Sequence, residues 1–179
     1  MSALNIPTLE TDRLILRAPR EEDVRAELDF YASDASRFVG GPMRPDQVWR
    51  QQATIMGHWL FRGYGYWAAV AKDTGAYLGR IGLWFPEGWP EREIGWTLLP
   101  AAQGNGYATE GGAALRQYAY ETLGWDTAIS LIAPENAASQ AVARRLGARF
   151  ETHLDHPRFG TVEIWRHIAP DAQLAQGVA

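Results

Sequence analysis

The stretch Gln103-Gly104-Asn105-Gly106-Tyr107-Ala108, called the glycine loop below, joins a predicted strand to a predicted helix. The strand runs from about Arg92 to Leu99 and stops at Pro100, and the helix runs from Ala108 to Leu123. A glycine-rich turn at the start of a helix leaves backbone N–H groups unpaired at the positive end of the helix dipole. The stretch therefore predicts an anion site suited to a diphosphate, and hence a phosphorylated cofactor.

Two common phosphate motifs do not fit this loop. A dinucleotide fingerprint that starts at Gly104 and Gly106 needs a third glycine or alanine where Thr109 stands. A nucleoside-triphosphate loop built on Gly106 and Gly111 needs Lys and then Ser or Thr, but Gly112 and Ala113 follow. Without the lysine that neutralises the β- and γ-phosphates, triphosphate chemistry is disfavoured.

A third pattern fits, since Gln103-x-x-Gly106-x-Ala108 matches Q/R-x-x-G-x-G/A. It resembles the acetyl-CoA pyrophosphate loop of the GNAT superfamily of N-acetyltransferases. Three further segments resemble the same superfamily in the same order, and the resemblance spans Thr11 to about Arg166. They are Thr11-Asp12-Arg13-Leu14-Ile15-Leu16-Arg17, similar to the first strand of the branch that acetylates ribosomal-protein N-termini; Glu93-Ile94-Gly95-Trp96-Thr97-Leu98-Leu99-Pro100; and Asn136 to Ser139 followed by Arg145-Leu146-Gly147-Ala148.

The composition limits the possible classes of protein. The chain has 179 residues, 21% of them charged, with a formal net charge of −4 and no cysteine. We expect one domain over residues 1–169 and a polar tail over 170–179. The lack of a basic block argues against nucleic-acid partners, and the acidic balance suits a cationic amine. The chain carries no signal peptide or long apolar run, so we expect a cytoplasmic protein with no membrane partner.

Hydrophobic periodicity predicts the order βαα-βββ-αβ-αββ. The predicted helices are 21–32, 45–62, 108–123 and 137–146, and the predicted strands are 14–16, 66–71, 76–84, 92–99, 127–132, 149–155 and 161–167. This order is neither a doubly wound alternation nor an all-β chain. The resemblance implies an α+β, three-layer GNAT fold. In that fold a mixed sheet of about seven strands, flanked by about four helices, splays apart between the fourth and fifth strands and holds acetyl-CoA in the cleft.

The resemblance also implies which residues hold acetyl-CoA. Backbone groups of the splayed strand would bond the pantetheine arm, the glycine loop would bond the pyrophosphate, and the start of the helix after Asn136 would complete the site. The set is Thr97, Leu98, Leu99, Gln103, Gly104, Asn105, Gly106, Tyr107, Ala108, Thr109, Asn136 and Ser139. The alternatives are a plain strand-to-helix turn, a core position for Leu98 and Leu99, and a simple helix N-cap at Asn136.

Catalysis needs a base, because an amine must lose a proton before it attacks a thioester. The ordinary pKa is about 8 for an α-amino group and about 10.4 for lysine. Glu93 is the candidate base, since the resemblance places an acidic residue at this strand position. The alternative is a surface carboxylate that pairs with Arg92 or a strand neighbour, and Glu91 and Glu87 are nearby substitutes as the base. The backbone N–H of Leu98 is the candidate oxyanion donor.

The chain departs from the family at the position that often carries a tyrosine to reprotonate the CoA thiolate. Three residues before Leu146, that position holds Ala143. Ser139, Tyr107 or a water could substitute, and since a thiol has a pKa of about 8.5 an acid is helpful rather than obligatory.

Aromatic residues are candidates for the acceptor pocket, because a ring face can hold a cationic amine. They are Phe30, Phe38, Trp84, Trp89 and Trp96. Core packing or a dimer contact is the alternative for each. His153 and His156 lack a third ligand from another element, so no metal is expected.

The sequence thus predicts an N-acetyltransferase that moves an acetyl group from acetyl-CoA to a primary amine, with a protein N-terminus favoured and a small amine as the second choice. The alternative is a catalytically silent acyl-CoA binding or sensing module. The sequence leaves a monomer and a homodimer equally open.

Overall fold

The computed structural model describes residues 4–168, so the predicted tail at 170–179 lies outside the described residues. The strands are β1 (Leu9–Glu10), β2 (Leu14–Arg17), β3 (Tyr66–Ala71), β4 (Tyr77–Trp84), β5 (Glu93–Leu98), β6 (Ile129–Ile132), β7 (Arg149–His156) and β8 (Gly160–Arg166). The helices are α1 (Glu21–Tyr31), α2 (Pro45–Arg62), α3 (Tyr107–Glu121) and α4 (Ala137–Arg145), with 3-10 helices at Asp34–Val39 and Pro100–Ala102.

The eight strands form one mixed sheet in the order β1-β2-β3-β4-β5-β6-β8-β7. All neighbouring strands are antiparallel except β5 and β6, which are parallel. The mixed α+β sheet and the four predicted helices are confirmed. The predicted count of seven strands is one too low, because the two-residue strand β1 is too short to give a periodic pattern.

Helices cover both faces of the sheet. A Cβ on Gly111 of α3 would lie 2.4 Å from Cδ1 of Ile81, so Ile81 points towards α3. Its neighbour Arg80 instead contacts Glu27 of α1, with 2.5 Å between Nη1 and Oε2. Successive side chains of a strand point to opposite faces, so α1 and α3 lie on opposite sides of β4. The three-layer arrangement is thereby confirmed.

The largest part of the hydrophobic core lies around α3 and the central strands. Its fully buried members include Leu14, Leu16, Ile81, Leu83, Ile94 and Leu115. A smaller cluster joins α1 to α2 and contains Phe30, Tyr31 and Val48. Among residues 4–168, no helix is both long and apolar enough to cross a membrane.

The sheet opens between β5 and β6. Over the described residues these two strands pair at a single position, Glu93 opposite Ile129, and then diverge. The predicted splay between the fourth and fifth strands is therefore present, at the strands that the structure numbers β5 and β6. It leaves a cavity whose floor is the open edge of β5.

Candidate active site

The open edge of β5 directs backbone groups into the gap. Arg92 accepts from the N–H of Ile129 at 2.9 Å, and the carbonyl of Ile94 accepts from Ser130 Oγ at 2.6 Å, so even-numbered residues face β6. Backbone groups alternate sides along a strand, so Trp96 and Leu98 also face the gap. The carbonyl of Leu98 accepts from Gln103 Nε2 at 2.9 Å, which leaves its N–H directed into the gap.

The backbone of Leu99 does not fit its predicted part in cofactor binding. Its N–H donates to the carbonyl of Leu78 at 2.9 Å, and its own carbonyl accepts from the N–H of Ala102 at 2.9 Å. By the same alternation, the backbone of Thr97 faces β4 rather than the gap. Of the three predicted backbone contacts, Leu98 is the one that the strand geometry supports.

The glycine loop leads into α3 with unpaired backbone donors. Gly104 and Gly106 have φ angles of +79° and +82°, and Gly106 is the N-cap of α3. The first helical bond is from the N–H of Glu110 to the carbonyl of Gly106, at 3.0 Å. The N–H groups of Tyr107, Ala108 and Thr109 therefore lack an intrahelical partner. Unpaired donors at a helix N-terminus favour an anion, so the glycine loop stays a candidate phosphate site.

Arg13 anchors the glycine loop to the start of β2. Its Nη1 donates to the carbonyl of Asn105 at 3.0 Å, its Nε lies 2.7 Å from Glu110 Oε2, and its guanidinium lies 4.8 Å from the centre of the Tyr107 ring. Thr11 Oγ1 also donates to Glu110. Tyr107 is thus held under Arg13, outside the cavity described next, and it is not placed to replace the missing thiol acid.

A cavity of about 760 Å³ lies at the gap between β5 and β6. The predicted site residues that line it are Phe38, Trp84, Trp89, Glu93, Trp96, Thr97, Asn136 and Ser139. The glycine loop does not line it and follows β5 after the short helix Pro100–Ala102. Phe30 does not line it either, because it packs with Tyr31 and Val48 between α1 and α2. The expectation that Phe30 forms a pocket wall is wrong.

Glu93 lies at the point where β5 and β6 separate. Its side chain is buried, accepts from Trp89 Nε1 at 2.8 Å, and accepts from the N–H of Leu131 at 3.3 Å. Burial raises the pKa of Glu93 from 4.5 to about 7, and the two hydrogen bonds limit the rise. The alternative of a surface carboxylate paired with Arg92 does not hold. A carboxylate in this range exchanges protons near neutral pH.

Helix α4 begins at the other side of the gap. Asn136 caps it, because its Oδ1 accepts from the N–H of Ser139 at 3.2 Å. Ser139 Oγ in turn accepts from Trp96 Nε1 at 3.2 Å. Ala143 is fully buried and packs with Ile132 and Trp165, so no acid stands at that position.

Other residues of the site have no clear signal in the sequence. Ser130 accepts from His167 Nε2 at 3.0 Å while it donates to Ile94, so it bridges the two strands where they separate. Arg37 and Arg158 lie at the cavity wall. Each of these two arginines is followed by a phenylalanine. Arg149 is followed by one as well and lies outside the cavity, so an Arg-Phe dipeptide does not predict a cavity residue.

Residues 4–168 contain no group of three or more His, Asp or Glu side chains placed to hold a metal ion. His156 instead contacts the rings of Trp89 and Phe159, with both ring centres 4.9 Å away.

Comparison with known proteins agrees with this geometry. Residues 13–149 match the family model described as an acetyltransferase (GNAT) domain. The uncharacterized protein YkkB of Bacillus subtilis (strain 168) is 30% identical over 154 residues, which cover 79% of this chain and 85% of YkkB. A crystal structure of an acetyltransferase from Agrobacterium tumefaciens str. C58 is 36% identical, with a TM-score of 0.84 over 92% of this chain and 95% of that chain.

A more distant structure shares the fold alone. It is the ribosomal L7/L12 alpha-N-protein acetyltransferase RimL in complex with coenzyme A, 18% identical, with a TM-score of 0.75 over 91% of this chain and 98% of RimL. The family match covers most of the chain and includes β2, the gap and the glycine loop, which confirms the resemblance seen in the sequence. The chain belongs to the GNAT family of acetyltransferases, and it is an acyltransferase.

Proposed function

We propose that the protein is an N-acetyltransferase in which acetyl-CoA and a primary amine bind together and the amine attacks the thioester directly. One observation carries the proposal: Glu93, a buried carboxylate with its pKa raised to about 7, lines the cavity at the point where β5 and β6 separate. A group with this pKa is half ionised near neutral pH, so it can both take up a proton and release it.

Acetyl-CoA fits the free donors around the gap. The unpaired N–H groups at the start of α3 suit the pyrophosphate. Asn136 lines the cavity on the opposite side of the gap and is placed for the pantetheine arm. The N–H of Leu98 suits the thioester carbonyl, whereas both backbone groups of Leu99 are already bonded within the protein.

The reaction then follows from these positions. The amine gives its proton to Glu93, and its nitrogen attacks the carbonyl carbon of the thioester. The N–H of Leu98 donates to the oxyanion that forms, which is typically worth a few kcal/mol. The C–S bond breaks and the amide forms as the nitrogen loses its second proton, which passes through Ser139 Oγ or a water to the CoA thiolate. Ser139 lines the cavity and lies one helical turn before Ala143 on α4, where the family acid is missing.

The acceptor that we favour is an α-amine at a protein N-terminus. Proton transfer from an α-ammonium group, pKa about 8, to a carboxylate of pKa about 7 is nearly balanced, whereas transfer from lysine, pKa about 10.4, is far more uphill. RimL, which has the same fold and is an alpha-N-protein acetyltransferase, is consistent with this choice.

The test is calorimetric titration with acetyl-CoA, with NAD and ATP as controls, followed by the release of free CoA in the presence of amines. Since the chain has no cysteine, a thiol reagent detects CoA without background. We expect one-site binding of acetyl-CoA alone, and turnover whose kcat/KM rises with pH through about 7 in the wild type but not in Glu93→Gln. Binding without turnover of any amine would favour the silent acyl-CoA module, and no binding would refute both.

A further inference from the structure

The charges around the cavity differ from those of the whole chain. Four arginines line it, Arg37, Arg50, Arg80 and Arg158, against the two carboxylates Glu87 and Glu93. The chain as a whole has a net charge of −4. The expectation that an acidic protein presents an acidic surface to a cationic amine therefore fails at the cavity itself.

Three of these six charges are matched by ion pairs with residues outside the cavity. Arg80 pairs with the buried Glu27, with 2.5 Å between Nη1 and Oε2. Arg50 pairs with Asp46 at 3.3 Å. Glu87 pairs with Arg62 at 3.5 Å. These charges are therefore largely satisfied before a ligand arrives.

Two arginines remain without a carboxylate within 4.0 Å among residues 4–168. Arg37 lies 4.3 Å from the centre of the Phe38 ring, and its Nη1 donates to the carbonyl of Asp34 at 3.3 Å. Arg158 lies 5.2 Å from the centre of the Phe159 ring. The aromatic contacts restrict where each guanidinium can lie, but they leave its charge uncompensated.

The two arginines belong to the same side of the cavity although they are far apart in sequence. A Cβ on Gly40 would lie 3.5 Å from Arg158 Nη2 and 3.7 Å from Cε1 of Phe159. Gly40 ends the short helix Asp34–Val39 that carries Arg37. The loop between β7 and β8 therefore brings Arg158 against the segment that follows Arg37, and together they form a cationic wall.

The remaining carboxylate of the cavity is Glu93, which takes up the amine proton in the proposed reaction and is thus unavailable as a fixed partner for an ammonium group. We propose that the acceptor is a primary amine that also carries a carboxylate, with the amine at Glu93 and the carboxylate on Arg37 and Arg158. Paired guanidinium groups suit a carboxylate, because each offers parallel N–H donors to its two oxygens. The inference rests on the proposed function and names the class of its acceptor.

The experiment compares matched acceptors that differ in one charge. The peptides Ala-Asp-Ala-amide and Ala-Asn-Ala-amide, and the pair with Glu and Gln, keep the same α-amine and nearly the same shape. We expect kcat/KM for the carboxylate member to exceed that of its amide by about tenfold at low salt, as for a charge-assisted contact. We expect the ratio to fall to about one in the double variant R37Q/R158Q.

Arg144→Gln is the matched control. Arg144 also lies over an aromatic ring, 4.9 Å from the centre of Trp165, but it does not line the cavity. Its replacement should leave the ratio unchanged. Calorimetric binding of the same peptides to the enzyme, both without CoA and with saturating CoA, gives a second readout that needs no turnover.

The outcomes separate the two proposals. Failure to bind acetyl-CoA, or to acetylate any amine, refutes the proposed function, and the peptide-binding ratio then still decides the charge preference. Acetylation or binding without a preference for the carboxylate member, or a preference that survives in R37Q/R158Q, overturns the inference. Binding of acetyl-CoA with no binding of either carboxylate peptide also counts against it.

Discussion

Trp89 Nε1 donates a hydrogen bond of 2.8 Å to Glu93 Oε2, and it is the one side-chain donor to this carboxylate within residues 4–168. A donor to the charged form of a carboxyl group lowers its pKa. Trp89 therefore opposes the effect of burial, which raises the pKa of Glu93 to about 7. The indole acts as a positioning residue that sets how much of the base is ionised at neutral pH.

Trp89→Phe should shift the pH dependence of the reaction. Loss of the donor raises the pKa of Glu93 further, so the acidic limb of kcat/KM should move to higher pH by about one unit. Phe keeps a ring next to His156 and Phe159, which limits the change in packing. The measurement is the pH–rate profile between pH 5.5 and about 9 at saturating acetyl-CoA.

Trp84→Phe is the control for this experiment. Trp84 also lines the cavity and pairs with Glu93 through the backbone of β4, but its indole stacks on His58 at 4.3 Å between ring centres and makes no hydrogen bond to the Glu93 carboxylate. Trp84→Phe should leave the acidic limb of kcat/KM in place, whatever its effect on KM for the acceptor. Equal shifts in both variants would mean that general repacking, not the lost donor, moves the limb.

Glu93 should also leave a signature in stability. Its pKa in the folded protein, about 7, is higher than its ordinary value of 4.5, so the folded state holds the proton more tightly than the unfolded chain does. Its contribution to the free energy of unfolding therefore falls as the pH rises from about 4.5 to about 7 and is constant above. The slope is at most about 1.4 kcal/mol per pH unit.

Glu93→Gln removes this titration, so the variant should gain stability relative to the wild type across that window. Urea unfolding of both proteins at pH 5 and pH 8 measures the change. Glu87→Gln, at a carboxylate whose side chain is 100% exposed, serves as the control and should show little change. A difference between Glu93→Gln and the wild type that is the same at both pH values would contradict the buried, proton-holding carboxyl group.

The glycine loop allows a matched test of the anion site. Gly104 has φ of +79° and Gly75, in the turn between β3 and β4, has φ of +71°. A Cβ on either would have no atom within 4 Å, so Gly→Ala costs similar backbone strain at both, about 1–2 kcal/mol. Only Gly104→Ala places a methyl group next to the proposed phosphate site.

We therefore expect Gly104→Ala to weaken acetyl-CoA binding on the order of tenfold, because the backbone must approach the phosphates closely. Gly75→Ala should lose comparable stability and keep its affinity. Calorimetry with acetyl-CoA and thermal unfolding of both variants give the comparison. If both variants bind equally well, the loop does not hold the phosphates.

Local sequence was sufficient where a short segment determines its own structure. The glycines at 104 and 106 predict a turn with positive φ, and Asn136 predicts a helix N-cap that the structure shows. Glu93 and Leu98 both belong to β5. Once this strand is recognised in the sequence, the candidate base and the candidate oxyanion donor are known to lie on the same element.

Features set by contacts between distant segments could not be predicted. Phe30 is aromatic and lies close in sequence to Phe38, which lines the cavity. The packing of α1 on α2 nevertheless buries Phe30 away from the cavity. The backbone of Leu99 is occupied because Leu78 lies opposite, which is a matter of register. Arg158 reaches Gly40, in the segment after Arg37, only through the fold, and a single sequence carries no sign of this contact.

His167 gives a last prediction, on acid stability. It is buried, its Nε2 donates to Ser130 at 3.0 Å, and its N–H donates to the carbonyl of Ala128 at 2.9 Å. Burial, with repulsion from Arg116 and Arg166, lowers the pKa of His167 from 6.5 to about 3. The unfolded chain therefore binds this proton first, and the free energy of unfolding falls as the pH drops from about 6.5 towards 3.

His167→Gln keeps a donor near Ser130 but cannot titrate, so its stability should fall less steeply over this range than that of the wild type. The difference in slope is at most about 1.4 kcal/mol per pH unit, measured by urea unfolding between pH 7.5 and 4.5. His153→Gln, at a histidine whose side chain is 57% exposed, is the control and should retain the wild-type slope. Parallel slopes in His167→Gln and the wild type would show that His167 does not stay neutral, and the Ser130 bridge at the mouth of the gap would then need another explanation.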